Sequence, residues 1–155
     1  MIAADFYDWL MFLHILAGMI WVGGALTVSL LAAQVLRSGD SAAISQFIGN
    51  LRFIGPLVFA PAMAGVLAFG IWMVVDSNAW SFSQTWLVVA LALVAAAVLV
   101  GAVFQSGAAV GAKRAAETGD NQRAGRLLRR WIWGMRLIFV ILVIAAWDMS
   151  IKPGL

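Results

Sequence analysis

The chain has no cysteine, one histidine, one tyrosine and three prolines, and only 11% of its 155 residues are charged. Without cysteine there are no disulfides, thiolate metal sites or cysteine-held iron–sulfur clusters, so redox chemistry requires a bound cofactor. So little charge against 64% hydrophobic residues excludes an ordinary soluble domain of this length. The N-terminus also lacks the basic n-region of a signal peptide. It offers Asp5 and Asp8, then an apolar stretch too long for an h-region.

What is present is a set of long apolar runs. A hydrocarbon core of about 30 Å needs roughly 20 mainly apolar residues per helix. Runs of this kind lie at about Tyr7 to Leu36, Ile54 to Val75, Gln84 to Gly111 and Trp131 to Ser150, with the charge gathered between them. A β-barrel would show short alternating strands instead. The expected fold is therefore all-α, an integral membrane four-helix bundle forming one domain over residues 1–155. Helix one is expected to start near Asp8 and end at the turn Arg37 to Asp40. Ile44, Phe47, Ile48 and Leu51 recur at helical spacing and predict a short amphipathic helix on the cytoplasmic interface between spans one and two. Pro56 and Pro61 predict that span two begins near the first or bends at the second. Ala60, Ala64 and Ala68, and the pair Gly107 and Gly111, are small residues at the spacing of close helix contacts.

Arg37 and Arg52 fall in the first connection, and Lys113, Arg114, Arg123, Arg126, Arg129 and Arg130 in the third. Asp76 is the charged residue of the second connection, and Lys152 the basic residue of the C-terminal tail. This bias predicts cytoplasmic first and third connections and both termini outside. The basic loop suits anionic lipid headgroups, and nucleic acid is not expected as a partner. The expected location is a bacterial plasma (inner) membrane.

Two polar residues inside the runs invite a functional reading. His14 lies five residues after Trp9, about 7–8 Å below the outer interface at about 1.5 Å per residue. Gly18 shares its helical face and leaves room for a flat ligand, and Trp21 continues the stripe. The bland reading is a hydrogen bond to a neighbouring helix. The functional one makes the imidazole an axial ligand to haem b, or a ligand to copper, with a thioether of Met11 or Met63 as the second ligand. The other residue, Arg136, stands six positions beyond Arg130, about 9 Å into span four. It either snorkels to the headgroups or clamps an anion such as a propionate or lipid phosphate, with Gln105 at similar depth as a hydrogen-bond partner.

The stretches LHILAGMIWVGGAL (13–26), PAMAGVLAFGIWMV (61–74) and WLVVALALV (86–94) occur in order, and His14, Trp21, Gly23 and Gly24 form a His-x6-Trp-x-Gly-Gly pattern. On these residues the chain resembles the small four-helix membrane proteins around the copper resistance protein CopD and the HemJ type of protoporphyrinogen oxidase, including their uncharacterised relatives. The HemJ resemblance implies haem binding at His14. That family also has a lysine in a Trp-Leu-x-x-Lys-Leu setting, and Ala90 stands at that position here. The oxidase activity is therefore not carried over. The CopD resemblance implies copper handling. The leading expectation is a haem-b-binding electron-transfer or accessory subunit, either a homo-oligomer or part of a larger membrane complex. The alternatives are a cofactor-free structural or assembly subunit and a copper-handling protein.

The topology is directly testable because the chain has no thiol of its own. Cysteine replacing Ser77 is expected to react with an impermeant reagent in intact cells, and cysteine replacing Thr118 is not. The reverse pattern overturns the orientation.

Overall fold

In the computed structural model, which describes residues 5–154, the chain runs as α1 (Phe6–Ser38), α2 (Ser41–Ile54), α3 (Ala60–Asp76), α4 (Thr85–Leu99), α5 (Ser106–Glu117) and α6 (Asn121–Ile151). Two wide π turns, Gly55–Phe59 and Val100–Gln105, join α2 to α3 and α4 to α5 without a break. The result is four helices long and apolar enough to cross a membrane: Phe6–Ser38, Ser41–Asp76, Thr85–Glu117 and Asn121–Ile151. The described residues contain no strand. Continuous helix is what hydrocarbon demands, because no water is present there to satisfy backbone N–H and C=O groups.

Local chemistry sets the ends. The Asp5 backbone N–H donates to Asp8 Oδ2 at 3.2 Å, and the Asp8 N–H donates to the Asp5 carbonyl at 2.9 Å. This starts α1 at Phe6, two residues before the expected Asp8. Gly39 ends it with φ +68°, a left-handed conformation that costs glycine little. The Asp40 carboxylate then accepts the Ala42 N–H at 2.9 Å and opens α2.

The expected amphipathic segment forms α2, with Ile48 and Leu51 buried. It differs from a separate interfacial helix in continuing directly into α3. The prolines explain how. Neither has an N–H to give, and an α-helical turn would press each ring on the carbonyl four residues earlier. In the π turn the Ala60 N–H bonds the Gly55 carbonyl, five residues back, so span two passes through both prolines rather than starting at one of them.

α3 packs along α1. α6 packs along α1 on one side and along α4 and α5 on the other, while α2 meets α5. Spans two and three are thus the neighbours that run apart over α3 and α4, which leaves a seam between them. The α1–α3 contact is the tightest: a Cβ on Gly65 would stand 3.0 Å from the Ala17 Cβ. Ala62 and Val66 are buried near it, whereas Ala60, Ala64 and Ala68 are exposed. The packing face of α3 is therefore turned away from the expected alanine stripe. The glycine pair also divides. Gly111 packs near Leu127, at 3.2 Å from a Cβ position, and Gly107 faces open space. Ala108, Ala112 and Ala115 carry the rest of the α5 contact.

Gly65→Val is expected to push α1 from α3 and lower stability by about 1–3 kcal/mol. Gly23→Ala, which meets nothing within 4 Å, is expected to be neutral or slightly stabilising. Thermal unfolding in detergent measures both.

Candidate functional site: two cavities along one seam

The seam holds two cavities, one near the end that carries residues 5 and 154 and one nearer the basic connections. The first has a volume of about 210 Å³ and is lined by His14 and Met11 of α1, by α3 around Gly70, by α4 from Trp86 to Val94, and by Met149 and Lys152. Its position depends on glycine. A Cβ on Gly70 would lie 2.9 Å from His14 Cε1 and 3.1 Å from Nδ1, so the imidazole occupies the space that any side chain there would take.

Seated there, His14 Nδ1 is 2.9 Å from the Val66 carbonyl oxygen. A carbonyl only accepts, so Nδ1 carries the proton, and in the neutral ring Nε2 keeps its lone pair. Nε2 makes no hydrogen bond among the described residues. The same contact serves both expected roles. It is the interhelical hydrogen bond of the bland reading, and it is also the second interaction that orients a ligating histidine.

The expected site residues separate between the cavities. Met11 shares the His14 cleft, whereas Trp21 and Met63 line the other cavity and cannot join His14 in one small site. Gly18 lines neither, and nothing lies within 4 Å of where its Cβ would be, so it is no helix-packing glycine within this chain. Arg136 is exposed, with its guanidinium 5.4 Å from the Trp133 ring. It makes no hydrogen bond to Gln105, which is buried on the inner side of the third span. Their similar depth does not bring them together, because they point to different sides of the bundle.

Residues that sequence reasoning passed over complete the first cleft. Met73 and Met149 add two thioethers to that of Met11. The turn between α3 and α4 supplies Trp80, whose Nε1–H donates to the Tyr7 hydroxyl at 3.1 Å. Its ring meets that of Trp86 edge-on at 5.3 Å, and the Lys152 ammonium lies 3.9 Å from the Trp80 centroid. Asp148 was also missed. It is 3% exposed, and its Oδ2 has no partner. A signal for it existed: Leu128, Trp131, Met135, Ile138, Leu142 and Ala145 are an inward stripe, and Asp148 is its next position.

The second cavity, of about 360 Å³, is lined by both π turns together with Trp21, Met63, Trp131 and Met135. Gln105 lines it as well. It is 6% exposed, and neither its Oε1 nor its Nε2 has a partner. It fits against α6 because residue 134 is glycine; a Cβ there would stand 3.0 Å from Gln105 Cδ and Oε1. Among the described residues no three His, Cys, Asp or Glu side chains cluster, and the one ion pair, Lys113 with Glu117 at 3.6 Å, is exposed.

This geometry defines an integral, multi-pass helical membrane protein with a histidine-bearing cleft and a second, nearly uncharged cavity. Residues 8–153 match the family described as predicted integral membrane protein (DUF2269), and the chain belongs to that family. No curated protein and no solved structure matches the chain.

An unpartnered buried carboxamide costs stability. Gln105→Leu is therefore expected to raise the unfolding free energy by about 1–3 kcal/mol, measured by thermal or denaturant unfolding of the ligand-free protein.

Proposed function

We propose that the protein binds haem b through His14 Nε2 and acts as an electron-transfer or accessory subunit in a bacterial plasma membrane. In this reading both termini face outward, and the chain works as a homo-oligomer or within a larger complex. The observation that carries it is the Nδ1–H bond to the Val66 carbonyl at 2.9 Å, which holds the ring and leaves Nε2 free for a metal. The resemblance of the first helix to HemJ-type proteins points the same way, and the Ala90 position keeps the oxidase activity out of the reading.

The donors around the cleft suit the group. Met11, Met73 and Met149 would offer thioether sulfurs to the iron, and Lys152 would supply a cation at the rim for a propionate. The volume of about 210 Å³ is below the roughly 300 Å³ of sites that enclose a drug-sized ligand. A macrocycle fits only with an edge beyond the cleft, and Gly18 keeps the adjoining stretch of α1 clear. Bound haem would supply one-electron redox chemistry. The protein's part is to fix the imidazole, offer the thioethers and surround the site with apolar and aromatic walls. Anionic lipids remain the proposed partners of the basic connections and of Arg136.

One observation favours a second reading. Three thioethers and one imidazole line the same cleft, and this soft donor set suits copper(I).

Purification in mild detergent from haem- and copper-replete cells distinguishes the two. Haem binding predicts a Soret band that His14→Ala abolishes and that Gly18→Leu diminishes while elution stays unchanged. About one copper per chain without a Soret band, lost in His14→Ala, replaces haem with the copper reading. Colourless, metal-free protein rejects both and leaves His14 as an interhelical hydrogen bond of about 0.6 kcal/mol.

A further inference from the structure

We infer that the second cavity is a binding site for a quinone-class molecule: an uncharged, planar ring carrying carbonyl or hydroxyl oxygens on an apolar tail. The inference does not rest on the reading of His14, which lines the other cavity.

Size and access come first. The volume of about 360 Å³ lies within the range of small-molecule sites. The cavity sits where spans two and three run apart, and a ligand with an apolar tail would enter between them from the lipid.

The polar chemistry is concentrated in one group. Gln105 presents an N–H donor and a carbonyl acceptor, both buried and both unpartnered. A quinone carbonyl accepts from Nε2, and a quinol hydroxyl donates to Oε1, so the same carboxamide serves both forms. Water is a poor substitute because a buried water needs two to four polar partners. The nearby Ser106 hydroxyl already donates to the Ala102 carbonyl of its own helix. Ionised ligands are disfavoured as well. Arg52 is the one charged residue of the lining, and it is exposed at the rim with its guanidinium over the Phe53 ring at 4.4 Å.

The walls match a flat ring. Trp21, Phe59 and Trp131 contribute aromatic surface from three different spans, and π turns flank the cavity on both sides of the seam. Such turns inside transmembrane helices are frequent at functional sites.

The test uses the full chain in lipid nanodiscs, titrated with decylubiquinone while tryptophan fluorescence is followed. The expected result is saturable quenching at one quinone per chain. Gln105→Leu should weaken affinity by about tenfold or more with an unfolding midpoint equal to or above wild type, and Gly23→Ala, outside both cavities, should titrate like wild type. Linear, unsaturable quenching of the wild type is partitioning into lipid and overturns the inference, as does wild-type affinity in Gln105→Leu. Should Gln105→Leu fail to fold, Gly101→Leu decides. The space beside Gly101 is open, with Ile138 Cδ1 3.9 Å from a Cβ position, so leucine fills cavity volume. Lost binding then supports the site, and retained binding overturns it.

Discussion

The close approach of α1 and α3 is the constraint from which the rest of the bundle follows. Gly65 lets the backbone of α3 come to the Ala17 methyl, and Gly70 lets the same helix receive the His14 ring, so two glycines five residues apart set the distance between the helices. Lipid offers no hydrophobic drive to press helices together, and small residues with dense contact take its place. Once α3 is held on α1, and α6 also packs along α1, spans two and three run apart over α3 and α4, meeting only where Val74 packs with Trp86 and Leu87 among the described residues. The cavities are the consequence of that arrangement.

Helical continuity through the membrane shapes the seam further. Two prolines in span two remove backbone donors in a medium that offers no replacement, and the π turn keeps the surrounding carbonyls bonded with a shifted register. A second π turn interrupts span three, although its residues VGAVFQ include no proline. Nothing in its local sequence accounts for it. Both wide turns line the larger cavity, so irregular backbone occurs where it borders an internal space.

The polar groups inside the bundle divide into satisfied and unsatisfied. His14 is partly satisfied by the Val66 carbonyl, and Trp80 by the Tyr7 hydroxyl. Gln105, the Asp148 Oδ2 and the Trp86 Nε1 are buried without a partner. Gln105 and Trp86 line the two cavities, one each. Leucine or phenylalanine at these positions would avoid the desolvation cost.

The four spans, the helical class and the charge asymmetry were legible in the sequence because each depends on run length and composition. The end of α1 was legible for a similar reason, since Gly39 and Asp40 act on their own backbone. His14 stood out as an ionisable group in an apolar run. Which face of α3 packs was not legible: the Ala60, Ala64, Ala68 spacing fits a contact as well as the face that makes one, and only the rotation of the helix distinguishes them. The same holds for Met63 and Trp21. They lie within reach of His14 on a helical wheel or along the chain, yet they line another cavity. Gln105 and Arg136 share a depth, but rotation about the helix axes puts one inside and the other on the lipid-facing surface. Sequence by itself determined how many helices are long and apolar enough to cross the membrane and where along them the unusual polar groups fall. Tertiary structure alone decided which of them meet, because azimuth around each helix and the gap between spans two and three arise from packing between segments distant in the chain.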